Sequence, residues 1–353
     1  MELSNLKNIR SLTGPVLITG HTGFKGSWLT MLFERLGINV IGVSLPAEKN
    51  SLYERMNRFG KIPEAFIDIR DVGALSVFLK ANEPSAIVHL AAQPLVLESY
   101  VQPRDTFETN VMGTVNLLNS AFGLSSIKCI VVATTDKVYR NENLGKAFTE
   151  SDPLSGKDPY SASKVATEAV VSAWQQISKL ENGPKVVSVR AGNVIGGGDW
   201  ANNRLLPDII RGFSSKEMFS LRNPESTRPW QHVLDPLYGY VLTLEAALSL
   251  TELEAVNFGP LGGSLSVSEV AKIAKDYWPQ EVNYEFKKNE LDESRESLIL
   301  QLDSKKAQKV LGWNPKWSQT EAIVKTVRWW DLVLNQGLDP IDVCKQDLEE
   351  FLS

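Results

Sequence analysis

The 353-residue chain holds only two cysteines, Cys129 and Cys344, and Cys129 falls inside an apolar run. That excludes a disulfide framework and points to a reducing, cytoplasmic setting. Histidine is almost as scarce. His21, His89 and His232 lie far apart, no cluster has metal-ligand spacing, and no metal is expected. Positive charge is in deficit: 37 Lys and Arg against 42 Asp and Glu leave a net charge of −5, without the basic face that nucleic acid requires. No apolar run approaches membrane-spanning length, the opening residues show no signal-peptide core, and there is no internal repeat or low-complexity tract. What remains, with 43% hydrophobic and 22% charged residues, is the composition of a soluble globular protein with ample core.

The richest stretch begins at Cys129-Ile130-Val131-Val132-Ala133, of the length and β-branched content of a buried parallel strand. It ends abruptly in Thr134-Thr135-Asp136-Lys137, and the carboxyl ends of strands are where open α/β sheets bind ligands. Further on, Tyr160-Ser161-Ala162-Ser163-Lys164 follows Asp158-Pro159 at the head of a helix. Tyr160 and Lys164 there share one face, and an ammonium beside a phenol favours the phenolate. A hydroxyl on Thr135 could hold a substrate oxygen near that phenol. Such a pair also arises by chance on many helices, and Thr-Thr-Asp-Lys can be an ordinary turn. The rest of the chain has to decide.

Near the N-terminus, Pro15-Val16-Leu17-Ile18-Thr19 reads as a strand, followed by Gly20-His21-Thr22-Gly23-Phe24-Lys25-Gly26 and a helical pattern from Ser27. Glycines at 20, 23 and 26 suit a turn whose backbone N–H groups face a pyrophosphate at a helix N-terminus. The second strand, 39–44, ends in Ser44-Leu45-Pro46 with neither the acid usual for NAD nor an arginine for a 2′-phosphate, a modest lean to NAD. Residues 65–69 read as the third strand; Asp68 there is either an adenine contact or a solvated turn carboxylate, two readings of equal weight. A helix over 72–81 leads to the fourth strand, 86–92, ending in Ala91 and Ala92, small enough for close approach of a cofactor. His89 within it reads as a core residue. The pattern over 100–122 predicts one long helix with Asn110 in its middle.

Alternating strands and helices at this spacing predict a Rossmann-type, doubly wound parallel sheet in an α/β fold. A sixth strand falls at 185–190. The expected division is an NAD-binding domain over 1–192 with a return strand near 255–260, and a smaller, interleaved substrate lobe built mainly from 193–353. Residues 193–235 look irregular, but Trp200, Leu205, Leu206 and Trp230 argue against disorder. Arg204, Arg211, Arg222 and Arg228 could clamp a diphosphate, though for any one of them a structural pairing is the commoner role. Helices are expected at 264–277 and 318–335, the second opening with Ser318 and Glu321 at capping-box spacing.

With these residues in view, the chain resembles the extended short-chain dehydrogenase/reductase family nearly end to end, and within it the sugar-nucleotide 4,6-dehydratases. The resemblance rests on the glycine turn with Ser27-Trp28, on Thr134 to Tyr139, on Tyr160 and Lys164, on Gly192-Asn193-Val194-Ile195-Gly196-Gly197-Gly198-Asp199-Trp200, on Arg228-Pro229-Trp230-Gln231-His232-Val233, and on Leu311-Gly312-Trp313. Relatives acting on other nucleotides carry Asp-Glu where this chain has Asp136-Lys137, which favours the branch acting on CDP-glucose. Arg295 stands where the family suggests a histidine, a departure that bears on substrate preference.

The resemblance implies a lyase using NAD on a nucleotide sugar: oxidation at C4, loss of water across C5–C6, and return of the electron pair to C6. It implies Thr135, Asp136, Lys137, Tyr160 and Lys164 as catalytic, with Asp136 the acid, its pKa raised by burial, and Lys137 the base or a substrate-positioning group. Cofactor contacts are expected from Gly20, Thr22, Gly23, Phe24, Lys25, Gly26, Ser44, Asp68, Ile69, Leu90, Ala91, Ala92, Asn110, Tyr160 and Lys164. Substrate contacts are expected from Gln93, Asn193, Arg204, Leu205, Arg228, His232 and Arg295, with His232 and Trp230 alternatively bracing the loop. A cytoplasmic homodimer or homotetramer serving deoxysugar and O-antigen synthesis is implied. Two competing functions stay open. A 4-epimerase or reductase would keep Tyr160 and Lys164 without needing an acid–base pair at 136 and 137; an NAD-binding regulatory protein would need none of them.

Overall fold

The computed structural model describes residues 6–142, 145–215, 217–249, 252–287 and 300–353. Seven strands form the central sheet: β1 (Val16–Thr19), β2 (Val40–Ser44), β3 (Glu64–Phe66), β4 (Ala86–His89), β5 (Cys129–Ala133), β6 (Lys185–Ala191) and β7 (Ala255–Phe258). All their pairings are parallel, in the order β7-β6-β5-β4-β1-β2-β3. The chain reverses its direction of growth between β1 and β4, and a crevice opens there at the carboxyl ends of the strands.

The inner strands are apolar throughout because both faces are covered. Val16, Ile18, Val88, Val131 and Val187 point into one core, and Leu17, Ile87, Ile130, Val132 and Val186 into the other. The first core lies under α1 (Phe24–Arg35) and the helix Leu234–Ala247, the second under α2 (Val72–Asn82), α3 (Gly113–Phe122) and α4 (Pro159–Glu181). The fold is therefore the doubly wound α/β sheet expected from the strand–helix alternation.

Local differences have local causes. Strand β3 is shorter and earlier than 65–69, spanning Glu64–Phe66. The expected helix over 100–122 is broken: Val96–Val101 stops at Gln102, in a non-helical conformation before Pro103, and a π-helical turn, Glu108–Met112, separates Pro103–Phe107 from α3. The irregular region contains a helix, Leu205–Ser215. Pro207 sits in its first turn, where the missing N–H costs nothing. Leu206, Ile209, Ile210 and Phe213 bury its apolar side. The helix expected from 264 starts at Val267, capped by Ser266 and Glu269, while Gln319–Leu334 opens with the expected Ser318–Glu321 capping box. No described helix is long and apolar enough to cross a membrane.

Candidate active site

At the end of β1 the chain turns through Gly20, whose φ of +75° suits glycine. A Cβ there would lie 2.8 Å from Ala91 N, and one at Gly26 would lie 2.1 Å from Gly20 O. The turn is thus a cradle any side chain at these positions would fill. Gly23 is the N-cap of α1 and no side chain caps it, which leaves the positive end of the helix for an anion. The residues present fit the pyrophosphate of a dinucleotide.

The surrounding hydroxyls tie this turn down. Thr22 Oγ1 lies 2.7 Å from Ser44 Oγ and donates to Leu45 O at 3.0 Å, joining the turn to the end of β2. Thr19 Oγ1 lies 2.7 Å from His89 Nδ1 and accepts from the N–H groups of Leu90 and Ala91, while His89 Nε2 meets Thr114 Oγ1 at 3.1 Å. Burial, with Lys164 adding to it, pushes His89 down to about 3. It is a neutral core residue. Asp68 pairs with Arg70 at 2.6 Å, and that bond holds its carboxyl below the usual range, so the turn pairing occupies the carboxylate the sequence left with two readings. Ile69 packs onto α3, 2.4 Å from where a Cβ on Gly113 would stand. Leu90 and Ala92 line the end of β4, half-buried. Asn110 spends both ends of its amide on the protein: Oδ1 accepts from Gln93 N (2.8 Å), and Nδ2 donates to Gln93 O (3.1 Å) and Ser163 Oγ (2.9 Å). Its carbonyl, in the π turn, takes the hydroxyls of Thr114 and Thr167.

Beyond β5, Thr135 caps a single 3-10 turn, Asp136–Val138, accepting from Lys137 N at 3.3 Å. Its hydroxyl donates to Asp136 Oδ1 at 3.0 Å and is among the influences that lower Tyr160. Tyr160 sits in the first turn of α4, started by Asp158 in a capping box with Ser161 and by Pro159. Ser99 Oγ accepts the Tyr160 N–H at 3.1 Å. Lys164 donates to Ala133 O at 3.2 Å, and Tyr160 is pushed up to about 12 by burial, which outweighs the Thr135 hydrogen bond and the Arg204 charge. Lowering its pKa needs further positive charge. Burial also lowers Lys164 to about 8, against the pull of Glu168. Asp136, 2% exposed, is pushed up by burial, while Lys137, the Thr135 bond, Arg228 and Lys25 pull it down. Its Oδ2 has no hydrogen-bond partner among the described residues.

Cations gather round these acids. Lys25 Nζ lies 3.4 Å from Tyr240 Oη and is lowered to about 8 by burial and then by Arg204 and Lys164. Arg204 donates to Asp199 Oδ2 at 3.0 Å and acts electrostatically on Tyr160. Arg228 donates to Thr227 O and stands near Asp136. Asn193 begins a short strand, Asn193–Ile195, paired with Trp230–His232, and its buried Nδ2 lacks a partner among the described residues. Phe24 approaches Gly196, and Leu205 is half-buried at the start of its helix.

Other expected contacts fall elsewhere. Gln93 turns back on its own loop, donating to Thr106 Oγ1 at 2.9 Å and Leu95 O at 3.1 Å. His232 is fully buried between Trp28 and Trp317, with ring centroids at 6.0 and 4.6 Å, and braces the lobe instead of facing a ligand. Arg211 pairs with Asp208 and holds the carbonyls of Trp200 and Ala201, a structural role; Arg222 lies on an exposed strand position. Arg295 lies outside the described residues.

Sequence reasoning missed the group behind the site. Glu168, one turn past Lys164 on α4, accepts from Thr134 Oγ1 (2.5 Å), Ser188 Oγ (2.6 Å), and Arg190 Nε and NH2 (2.9 and 2.8 Å). Arg190 also reaches Tyr139 Oη at 2.8 Å, which donates to Asn257 Oδ1 at 2.7 Å. The network joins β5, β6, β7 and α4 directly behind Thr135. An acid on the buried face of a helix and an arginine ending an apolar strand were its visible signs.

Comparison with known proteins places this geometry in context. Residues 17–326 match the family model described as GDP-mannose 4,6 dehydratase. The chain is 38% identical over 348 residues to the CDP-glucose 4,6-dehydratase of Salmonella typhimurium, covering 96% of each chain. It is 26% identical to the dTDP-glucose 4,6-dehydratase of Haemophilus influenzae, over 89% of this chain and 97% of that one. Among solved structures, a double mutant of the Streptomyces venezuelae dTDP-glucose 4,6-dehydratase with NAD bound superposes with a TM-score of 0.79 at 25% identity, covering 92% of this chain and 99% of that one. The UDP-glucose 4-epimerase of Thermus thermophilus in complex with NAD gives 0.78 at 24% identity, over 90% and 98%, and shares the fold.

Proposed function

Because the chain belongs to the GDP-mannose 4,6 dehydratase family, we propose that it is an NAD-dependent nucleotide-sugar 4,6-dehydratase that converts CDP-glucose to CDP-4-keto-6-deoxyglucose. One observation carries the reading: the Thr135 hydroxyl donates at 3.0 Å to the buried Asp136, a carboxyl held above its usual range and near enough for its charge to act on Tyr160. An epimerase needs the tyrosine but has no use for a second, protonated acid beside it.

The residues divide the work. NAD, when bound, accepts the electron pair from C4, gives it back at C6 and brings a positive ring charge. Gly20, Gly23 and Gly26 with the N-terminus of α1 would hold its pyrophosphate, and Lys25, Thr22, Ser44 and the β4 end its remaining parts. Tyr160 takes the O4 proton as C4 becomes a ketone, and Thr135 holds that oxygen. Added positive charge beside Tyr160 and Lys164 brings the phenol down from about 12 toward working pH. The ketone acidifies C5–H. Lys137 removes that proton, the C5–H electron pair becomes the C5=C6 bond, the C6–O bond breaks, and Asp136 gives its proton to the departing hydroxyl, which leaves as water; when C6 takes its hydride, Lys137 returns the proton to C5. Asn193, Arg204, Leu205 and Arg228 face the diphosphate and base; Asn110 and Gln93 position backbone around them.

The same reading takes residues 1–192 with the return strand near 255–260 as the cofactor domain and most of 193–353 as the substrate lobe. It makes the protein a cytoplasmic homodimer or homotetramer serving deoxysugar and O-antigen synthesis. Exposed Leu97, Val101, Phe107 and Met112, clustered on one stretch, support self-association. The test is incubation of the purified chain with CDP-glucose, UDP-glucose, dTDP-glucose and GDP-mannose in turn, with the alkaline ultraviolet absorbance of a 4-keto-6-deoxy sugar as readout. Product from CDP-glucose alone is expected. Product from another nucleotide would overturn the substrate, and none from any would overturn the activity.

A further inference from the structure

Gly192 stands between β6 and the short strand Asn193–Ile195, with a backbone conformation open to any L-residue, so nothing in its φ calls for glycine. What calls for it is space. A Cβ at this position would lie 2.9 Å from Asp136 Oδ2, 3.6 Å from Asp136 Cγ and 3.8 Å from Pro229 Cγ. The carboxyl cannot simply swing aside, because it is 2% exposed and its Oδ1 is held by Thr135 at 3.0 Å. A methyl group at 192 would therefore move the carboxyl or cost it the Thr135 bond.

The atom facing that space is Asp136 Oδ2, buried and without a partner among the described residues. A buried carboxyl oxygen left unpartnered is costly, and the site recovers that cost only if a ligand group meets it. We infer that Gly192 is a positioning residue for the elimination: it keeps open the space in which Asp136 Oδ2 meets the hexose 6-hydroxyl. This rests on the dehydratase reading above and deepens it. Gly192 touches no reacting atom itself; it acts through Asp136.

The test uses Gly192→Ala in the full chain with CDP-glucose, quenching single turnovers in borodeuteride. Wild type should yield 6-deoxyhexose labelled at C4. The variant should form that product about 100-fold more slowly, as expected for a catalytic group displaced by about an ångström. It should instead accumulate hexose labelled at C4 with its 6-hydroxyl intact, because oxidation at C4 does not use Asp136. In an Asp136→Asn background the same change should add less than about a threefold further loss, since residues acting as one unit are not additive. Elimination within about threefold of wild type, an equal loss of C4 oxidation, or a full further loss in the Asp136→Asn background would each overturn the inference. If Gly192→Ala fails to fold, Gly192→Ala with Asp136→Ala must fold as well as Asp136→Ala alone, because the clash is with the carboxyl; an unfolded double variant would overturn it too. Failure of wild type to make any 4-keto-6-deoxy sugar would instead sink the dehydratase reading.

Discussion

Replacing Glu168 by Gln tests the network behind the site. Glu168 and Arg190 are 5% and 6% exposed at their side chains and meet through two bonds, at 2.8 and 2.9 Å. The same carboxylate also takes the hydroxyls of Thr134 and Ser188. Glutamine keeps the shape but only one acceptor, turns an amide N–H₂ toward a guanidinium that also only donates, and leaves that charge buried and uncompensated. Removing one partner of such a pair costs about 3–5 kcal/mol. Urea unfolding should show that loss near neutral pH. Its pH dependence has a definite sign. Burial alone would raise the Glu168 carboxyl, but Arg190 with Ser188 and Thr134 holds it below its usual value. A depressed carboxyl contributes stability above its unfolded pKa, about 4.3, and loses it as pH falls through the folded value. The gap between wild type and variant should therefore narrow in acid. Glu168→Leu with Arg190→Met should recover most of the stability, as apolar replacements of buried pairs do, yet not the activity, because Thr134 loses its anchor next to Thr135. A loss below about 1 kcal/mol for Glu168→Gln, or no recovery in the double variant, would refute the reasoning.

Three further outcomes are expected. Gly26→Ala should weaken NAD binding at least about tenfold by calorimetry, since its methyl would stand 2.1 Å from Gly20 O and strain of this kind costs about 1–3 kcal/mol; unchanged affinity would remove the turn from the cofactor site. Asp136→Asn should slow elimination about 10²–10⁴-fold while C4 oxidation survives, and in wild type elimination should fall as pH rises through the raised Asp136 pKa. Glutamates at Val101 (74% exposed) and Met112 (51%) should dissociate the proposed homo-oligomer in light scattering without unfolding it.

How much of this was legible in the sequence follows from the physics involved. The strands were visible because burial on both faces leaves nothing but apolar residues, as in Ile130-Val131-Val132. The glycine turn was visible because close backbone approach tolerates no side chain at Gly20 or Gly26. Helix starts with local chemistry, Asp158-Pro159 and Ser318 with Glu321, fell where expected. Non-local causes were hidden. The helix through Pro207 depends on burial of Leu206 and Phe213 against the rest of the lobe. The break at Pro103 and the π turn at Asn110 serve hydrogen bonds to Gln93, Ser163 and Thr167, distant in sequence. His89 already reads as a core residue from its apolar run, whereas only packing shows His232 as a neutral interior residue.

Charge was the least legible property, because a pKa depends on every group that surrounds a residue. From spacing alone Lys164 should lower Tyr160, yet burial and the Asp136 carboxylate both raise it. The same facts make the two acids cooperate. A negative Asp136 opposes ionisation of Tyr160, so protonating Asp136 removes one obstacle to forming the phenolate. In the proposed mechanism, oxidation at C4 wants Tyr160 ionised, and elimination wants Asp136 protonated. That mechanism places the negative charge on the phenol, which burial holds up to about 12, so the positive charge that NAD would bring has to supply the difference.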